Sequence, residues 1–362
     1  MAHPTLTIRS FDIVPVSVPL THPVRTASGD VTHAPLLLID LHTEQGVTGR
    51  AYLFTYTALA LKPVVDLVHG LGERVTGKEV SPFDIGRELG AALRLLGDTG
   101  LTGMALAGID MAAWDALARA AGMPLARLLG GSLRPVPSYF SQGMDGAKRG
   151  AELAEECLKQ GFKAMKVKIG YPTLKEDLAV VREVQSVLGQ EAVLAVDYNQ
   201  SLSVPEAIRR SRALDEFELA WIEEPTRYGD VAGHAKIARE IRTPIMLGEN
   251  WSGVQEMAAS IDAGASDLVM PDLMKIGGVS GWLRAAATAA TAGLPMSSHI
   301  FQEVSAQLMT VTPTAHWLEY LDLAAPILEA PLRIEGGMAI LGDDPGSGVS
   351  WDRGAVERYR VS

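Results

Sequence analysis

The chain has 362 residues, of which 47% are hydrophobic, so it can bury a large core and is longer than one small domain requires. Its formal net charge is -11, with 43 acidic and 32 basic residues spread along the chain, which argues against a nucleic acid partner. The single cysteine, Cys157, excludes an intrachain disulfide and a cysteine metal cluster, and the lack of a signal-like start or a long apolar run predicts a cytoplasmic protein without membrane contact.

The first part of the chain is predicted to be an α+β domain over residues 1–130. Residues 6–18 and 34–54 are rich in β-branched and aliphatic side chains, so we expect strands there. The polar segment between them, residues 21–33, is expected to be a mobile loop. From Ala58 to about Gly122, apolar residues recur at every third and fourth position, which predicts helices.

After Gly130 and Gly131 the pattern changes to short apolar strands that alternate with helices. The predicted strands are PSYFSQ, AMKVKIG, VLAVDYN, LAWIEEP, PIMLGEN, DLVMPDL, PMSSHI and HWLEYL. This alternation is typical of parallel βα units, and eight such strands favour a closed α/β barrel over residues 131–325. The last segment, residues 326–362, is predicted to form a hairpin that returns to the first domain.

Titratable residues stand at the ends of most predicted barrel strands. They are Lys166, Lys168, Asp197, Glu223, Glu249, Asp272, His299 and Glu319. Because a barrel carries its active site at the carboxyl ends of its strands, we expect these groups to converge.

Three of these residues are carboxylates separated by one βα unit each. Asp197, Glu223 and Glu249 follow one another at intervals of 26 residues. Converging carboxylates repel one another unless a cation lies between them, and a set of oxygen ligands favours Mg²⁺, with Mn²⁺ as a substitute, over zinc. The alternative for any one of these acids is that it caps the following helix or pairs with a lysine. Asn199, on the same face of its strand, and Glu224 are predicted to support the metal or to bind the substrate.

Basic groups flank the predicted metal site on both sides. Lys166 and Lys168 are two residues apart on one strand, so both point the same way, and we expect each to lower the pKa of the other. On the other side, Asp272 can hold the imidazole of His299 in one tautomer and raise its basicity. Glu319, on the eighth strand, remains to hydrogen bond to the substrate.

Together these groups predict removal of the proton next to a carboxylate. A carboxylate bound to the metal loses its α-proton only if the resulting enediolate is stabilised, and a metal with a proton-donating acid does this. Lys168 would act on one face of the carbon and His299 on the other. Two bases on opposite faces permit either inversion of the carbon or loss of a β-leaving group.

Ordered motifs along the whole chain resemble the mandelate racemase family of the enolase superfamily. They are AGIDMAAWD from residue 107, KVK from 166, VDYNQS from 196, WIEEP from 221, GEN from 248, PDLMKIGG from 271, SSH from 297 and WLEYLDLA from 317. The resemblance implies a (β/α)₇β barrel with an α+β capping domain, Mg²⁺ at the three carboxylates and a homo-oligomer, either an octamer or a dimer.

The resemblance also implies a role for each site residue. Lys168 is expected to be the base for the S enantiomer, and His299, paired with Asp272, the base for the R enantiomer. The expected partners of the substrate carboxylate are Lys166, Ser141 and, as a hydrogen-bond donor, Glu319, and the partner of the α-hydroxyl is Asn199. Lys275 stands where muconate cycloisomerase relatives carry a second catalytic lysine, but the pair of His299 and Asp272 favours the racemase branch.

Substrate selection is expected to lie in the segment of residues 21–33 and in apolar side chains near it. The residues expected to line the pocket are Val24, Val31, Phe54, Tyr56, Ile300 and Leu321. Such a lining suits an aromatic 2-hydroxy acid, and we expect a racemase of the mandelate type. Ser28 and Gln142 depart from the family pattern, and ordinary core packing is the alternative for each apolar residue.

Two other functions remain open at this point. An acid-sugar dehydratase would use the same metal and the same bases to eliminate water. A non-catalytic, metal-bound scaffold would require the loss of a catalytic position, and the sequence retains all of them.

Overall fold

Three antiparallel strands and four helices form the first part of the computed structural model, which describes residues 5–26 and 29–361. They are β1 (Ile8–Thr26), β2 (Gly29–Thr43), β3 (Thr48–Phe54), α1 (Ala58–Val75), α2 (Pro82–Ala92), α3 (Gly100–Ala120) and α4 (Leu125–Leu128). The sheet packs closely on α3 because β3 carries a glycine at the contact. A Cβ added at Gly49 would lie 2.0 Å from the carbonyl oxygen of Ala112, so no larger residue fits.

Residues 21–26 and 29–33 belong to two paired strands rather than to the mobile loop that the polar composition of this segment predicts. Described residues of β1 and β2 stay paired towards the tip of the hairpin, with Val24 opposite Val31 and Arg25 opposite Asp30. Arg25 also donates to Asp30 at 3.1 Å. These cross-strand pairs stabilise the hairpin, although its composition resembles that of a loop.

A ring of parallel strands with helices outside it forms the second part. The strands are β4 (Val136–Ser141), β5 (Ala164–Lys168), β6 (Val193–Asp197), β7 (Ile222–Glu223), β8 (Ile245–Leu247), β9 (Leu268–Val269) and β10 (Leu318–Tyr320). The helices are α5 (Gly146–Lys159), α6 (Leu174–Leu188), α7 (Val204–Leu214), α8 (Val231–Glu240), α9 (Val254–Asp262), α10 (Gly278–Ala292) and α11 (Gln302–Met309). β10 pairs in parallel with β4, and bridges from Val269 to Met296 and from Met296 to Ala315 connect β9 to the segment before β10. The ring is therefore closed, and the predicted (β/α)₇β barrel with an α+β capping domain is confirmed.

The predicted strand PMSSHI is held by single bridges instead of a continuous ladder. One bridge joins Met296 to Val269, and another joins His299 to Asp272. The segment still occupies the seventh place in the ring, and it brings the histidine beside the aspartate.

The C-terminal segment makes two separate sets of contacts. Its hairpin, β11 (Arg333–Glu335) and β12 (Met338–Ile340), pairs with barrel strand β4, and the residues after the hairpin contact the first domain. The hairpin pairs with β4 because β4 extends beyond its parallel neighbours at Pro137 and offers a free edge. After the hairpin, the chain forms α12 (Arg353–Tyr359), and Val361 donates a backbone hydrogen bond to Pro15 on β1 at 3.1 Å.

The single cysteine and the hydropathy of the helices agree with the composition of the chain. Cys157 is buried on α5, and burial raises the pKa of its thiol to about 12, so it acts as a packing residue. Among the described helices, none is both long enough and apolar enough to cross a lipid bilayer.

The buried carboxylate of Asp115 on α3 joins three parts of the chain. It accepts hydrogen bonds from the backbone of Arg50 on β3 at 2.7 Å and from the backbone of Ser347 at 2.6 Å. It also accepts from Nε of Arg119 at 2.5 Å. One carboxylate therefore ties the capping sheet, the helix behind it and the C-terminal segment together.

Replacing Asp115 by alanine is expected to lower the free energy of unfolding by about 3 kcal/mol, since it leaves the guanidinium of Arg119 and the backbone N–H groups of Arg50 and Ser347 without their acceptor. Urea unfolding followed by tryptophan fluorescence measures the loss. The control is Asp66→Ala, which removes an exposed partner 3.0 Å from Lys62 and should cost less than about 0.5 kcal/mol. Equal losses of unfolding free energy in the two variants would show that Asp115 does not hold the three parts together.

A second buried acid connects the barrel to the capping sheet. The hydroxyl of Tyr52 on β3 donates to Oε2 of Glu303 on α11 at 2.7 Å. Oε1 of Glu303 is buried and has no hydrogen-bond partner among the described residues. Burial is the main cause that raises the pKa of Glu303 from 4.5 to about 7.

Glu303 is expected to make the fold less stable as the pH rises. A carboxyl group whose folded pKa is raised contributes full stability below its unfolded pKa, and that contribution is lost as the pH rises through about 7. Glu303→Gln keeps an acceptor for Tyr52 but cannot ionise, so the variant should gain up to about 3 kcal/mol over the wild type between pH 5 and pH 8. The midpoints of urea unfolding of both proteins at pH 5 and pH 8 measure this difference in stability. A difference that does not change with pH would contradict the assignment.

Candidate active site

Three carboxylates meet at the carboxyl ends of neighbouring strands. Asp197 and Glu223 end β6 and β7, and Glu249 follows β8 by two residues. All three side chains are buried, and one oxygen of each lies within 4.8 Å of the others. We call this group the carboxylate triad. Its all-oxygen donor set and spacing fit a hard divalent cation such as Mg²⁺.

The pKa values of two acids in the carboxylate triad are shifted in opposite directions. Burial raises the pKa of Glu223 to about 8, although Lys166 opposes the shift. Burial would also raise the pKa of Glu249, but His299 and Lys168 outweigh it and lower the value to about 2. The ionisation of each acid in the triad therefore depends on the positive charge that lies beside it.

The two lysines of β5 lie on one flank of the carboxylate triad. Lys166 donates to Oε1 of Glu223 at 2.6 Å and lies 2.9 Å from Oε1 of Glu319. Lys168 pairs with Asp197. Both lysines are buried, so these ion pairs hold their ammonium groups in fixed positions.

The expected effect of one lysine on the pKa of the other is only one of several effects at Lys168. Burial and Lys166 do lower the pKa of Lys168, but Asp197 and two further carboxylates outweigh both and raise it above its ordinary value. The spacing of the lysines alone omits these acids. Lys168 therefore stays an ammonium until the charge of the triad is neutralised.

His299 and Asp272 form a hydrogen-bonded pair on the other flank of the triad. The two groups lie 2.8 Å apart, from Nδ1 to Oδ2, which leaves Nε2 of the imidazole 3.3 Å from Glu249. Asp272 is itself held, because it accepts from the hydroxyl of Tyr56 at 3.2 Å and from the backbone of Lys275 at 2.9 Å. Burial lowers the pKa of His299, but Glu249 and other acids outweigh it and raise the pKa.

Glu319 on β10 lies between the two flanks. Its Oε2 accepts from the backbone of Ile300 at 3.0 Å and lies 3.8 Å from Nε2 of His299. Burial would raise the pKa of Glu319, but Lys166 and His299 outweigh it and hold the pKa far below its ordinary value. Glu319 is therefore an acceptor in this structure, and the donor role expected for it requires a proton.

Asn250 links several acids and is not singled out by the sequence pattern. Its Nδ2 donates to Glu224 at 2.8 Å and to Glu249 at 3.0 Å. Its Oδ1 accepts from the ammonium of Lys275 at 2.8 Å. The signal that could have identified it is its place directly after a metal-ligand candidate, in the motif GEN.

The remaining predicted polar residues lie near the same site. Asn199 is in a turn with φ of 48° beyond the end of β6, and not on the strand as expected, because β6 ends at Asp197. Ser141, at the end of β4, and Gln142 are both buried. Ser28 lies outside the described residues.

A cavity of about 890 Å³ opens above the carboxylate triad. Lys168, Glu249 and His299 border it together. Its apolar wall contains all six of the residues expected to line a pocket, Val24, Val31, Phe54, Tyr56, Ile300 and Leu321. Arg227 and Gln200 also border the cavity, and the sequence pattern does not single them out.

Comparisons with known proteins agree with this arrangement. Residues 8–130 match the family described as mandelate racemase / muconate lactonizing enzyme, N-terminal domain, and residues 149–355 match the family described as enolase C-terminal domain-like. The chain is 30% identical to L-talarate/galactarate dehydratase of Salmonella typhimurium, over 92% of this chain and 86% of that protein. It is 32% identical to 3,6-anhydro-alpha-L-galactonate cycloisomerase of Streptomyces coelicolor, over 94% of this chain and 96% of that protein.

A solved structure is more similar in sequence. The enolase from Bradyrhizobium in complex with magnesium and mandelic acid is 45% identical, with a TM-score of 0.96 and coverage of 100% of both chains. Because the relatives named here include a dehydratase and a cycloisomerase, the comparisons support the expected family and superfamily but not one particular reaction.

Addition of Mg²⁺ to metal-free protein is expected to raise its melting temperature, because a cation that binds the carboxylate triad stabilises only the folded chain. At a Mg²⁺ concentration of about 100 times Kd, the free energy of unfolding rises by about 2.7 kcal/mol. Differential scanning calorimetry measures it. Glu223→Gln should lose most of the shift, whereas Glu216→Gln, an exposed control, should keep it. An equal response in both variants would rule out the site.

Proposed function

Because the chain belongs to the mandelate racemase / muconate lactonizing enzyme family, we propose that it is a magnesium-dependent racemase that interconverts the R and S enantiomers of an aromatic 2-hydroxy acid. The proposal rests on one observation, the placement of Lys168 and His299 on the two flanks of the carboxylate triad at the same cavity. An acid whose carboxylate lies at the triad exposes opposite faces of its α-carbon to these two groups.

Asp197, Glu223 and Glu249 are the residues that would hold the metal. When bound, Mg²⁺ supplies positive charge that stabilises the additional charge on the substrate carboxylate after the α-proton leaves and offsets the acids that raise the pKa of Lys168. The magnesium in the Bradyrhizobium enolase supports this choice of cation.

The protein groups then move one proton off the α-carbon and another onto it. Neutral Lys168 takes the proton from the S enantiomer, and protonated His299 gives a proton from Nε2 to the opposite face, which yields the R enantiomer. Asp272 keeps Nδ1 engaged, so that Nε2 faces the substrate. In the reverse direction the two bases exchange their roles.

The substrate carboxylate is held by groups that already form one cluster. Lys166 donates to it, and Glu319 donates a hydrogen bond once it carries a proton. Since both lie within 3 Å of each other and are buried, the carboxylate of the substrate would enter an ordered, dry site. Asn199 on its turn would hold the α-hydroxyl.

The apolar wall of the cavity supports an aromatic side chain on the substrate. Phe54 and Tyr56 have ring centroids 4.5 Å apart, and Val24 and Val31 face each other across the hairpin. An aryl ring gains free energy from burial against such a surface, whereas the hydroxyls of a sugar would lose hydrogen bonds there. The mandelic acid in the Bradyrhizobium enolase supports the same class.

The second candidate is an acid-sugar dehydratase. It is favoured by the polar wall of the cavity, which includes Arg227, Asn250 and Lys275, and by the dehydratase of Salmonella typhimurium. In that reaction Lys168 removes the α-proton, and His299 protonates the departing β-hydroxyl.

R- and S-mandelate incubated in D₂O with Mg²⁺ and the protein are expected to exchange their α-hydrogen and to lose optical rotation. His299→Asn should abolish exchange from R-mandelate, by about a thousandfold, and spare exchange from S-mandelate, because Lys168 still removes that proton. Proton NMR and polarimetry follow both enantiomers. His69→Asn, on the exposed face of α1, is the control and should change neither rate.

Two outcomes would contradict the assignment of the bases. Loss of exchange from both enantiomers, or from neither, in His299→Asn is incompatible with one base on each face. A 2-keto product from an acid-sugar panel, with mandelate unchanged in rotation, would favour the dehydratase instead.

A further inference from the structure

Six acidic or basic side chains border the cavity above the carboxylate triad. They are Asp30, Lys168, Arg227, Glu249, Lys275 and His299. Three of them, Lys168, Glu249 and His299, belong to the catalytic cluster and are accounted for by it. The other three border the cavity without belonging to that cluster.

Arg227 differs from the other two because its charge is not engaged within the protein. Arg25 donates to Asp30 at 3.1 Å, and Lys275 donates to Asn250 at 2.8 Å. The guanidinium of Arg227 makes no hydrogen bond or ion pair within residues 5–26 and 29–361. Among the described residues, it is therefore the cavity-wall cation whose side chain makes no hydrogen bond, whereas Lys275 is held by the amide of Asn250.

The backbone that carries Arg227 is fixed at the cavity. Arg227 lies on the loop between β7 and α8, four residues after Glu223. Its carbonyl oxygen accepts from the backbone of Asp230 at 2.9 Å, and the backbone of Tyr228 donates to the side chain of Gln200, another residue of the cavity wall, at 3.1 Å. Because the loop backbone is already ordered, binding of a ligand would have to immobilise only the side chain of Arg227.

The cavity has room for a substrate that extends beyond a simple aryl acid. Its volume of about 890 Å³ lies in the range of sites for drug-sized ligands, and a molecule the size of mandelate fills only part of it. The substrate carboxylate has to lie at the carboxylate triad. The far end of the molecule is then free to reach the wall that Arg227 borders.

We propose that Arg227 binds a negatively charged substituent at the far end of the substrate. The preferred substrate class is then an aromatic 2-hydroxy acid with a second carboxylate or a similar anion on its ring. The ring packs on the apolar wall, and the distal anion accepts two parallel hydrogen bonds from the guanidinium. This inference rests on the proposed function and narrows its substrate class.

Binding of unreactive analogues tests the contact apart from catalysis. Calorimetric titration of the Mg²⁺-loaded protein compares phenylacetate with 4-carboxyphenylacetate, which differ only in the distal carboxylate. The wild type should bind the dianion about tenfold more tightly, the value expected for one charge-assisted pair. Arg227→Gln should lose this preference and keep its affinity for phenylacetate, whereas Arg227→Lys should retain part of the preference.

Arg239→Gln is the matched control, since Arg239 is an exposed arginine on α8 in the same βα unit. It removes the same charge and should keep the full preference for the dianion. A wild type that binds both acids equally overturns the inference. So does an Arg227→Gln variant that weakens both acids by the same factor, because the arginine would then only attract anions in general.

Exchange of α-hydrogen from mandelate and from 4-carboxymandelate separates this inference from the proposed function. Exchange of mandelate without any preference for the dianion overturns the inference alone. A preference in the titration, with no exchange of either compound, supports the contact of Arg227 and overturns the racemase.

Discussion

Mutual repulsion among three buried carboxylates determines how the rest of the site is arranged. Oxygens of Asp197, Glu223 and Glu249 lie within 4.8 Å of one another, in an environment that screens their charge poorly. The chain supplies cations on both sides, lysines from β5 and the imidazole of His299, and each of their pKa values is raised in return. As long as the lysines and His299 compensate the charge of the acids, these basic groups stay protonated. One of them can lose its proton and act as a base only when another positive charge takes its place.

This balance depends on burial, and the fold provides burial from two directions. Below the triad, the rings of Tyr139 and Trp221 fill the barrel 5.3 Å apart, and the indole donates to Glu223 at 3.1 Å. Above it, the capping domain contributes Tyr56, which donates to Asp272. Neither part alone would exclude water, so the two have to be held together. Asp115 and the C-terminal segment contribute to that task.

The features that could be predicted from the sequence are those that depend on a regular spacing of residues along the chain. A βα unit has a nearly constant length, so the interval of 26 residues between Asp197, Glu223 and Glu249 places them on successive strands before any contact is known. Pairing between distant segments has no such signal. The edge of β4 that receives β12 depends on a partner far away in the chain. The hairpin of β1 and β2 pairs residues that are close in the chain, such as Val24 with Val31, but its polar composition hides its strands. The raised pKa of Lys168 and the bridging role of Asn250 likewise depend on neighbours from other strands.

The difference between a racemase and a dehydratase lies in the substrate more than in the two bases. Lys168 and His299 are fixed by the barrel, and they serve inversion and elimination equally well. Elimination needs a hydroxyl on the β-carbon, which an aryl ring attached to the α-carbon does not offer, so a proton returned to the opposite face is the remaining outcome. The choice is therefore made by the parts of the cavity that are not barrel strands. In the proposed racemase, the hairpin with Val24 and Val31 would select the ring, and the loop with Arg227 would select the substituent on the ring.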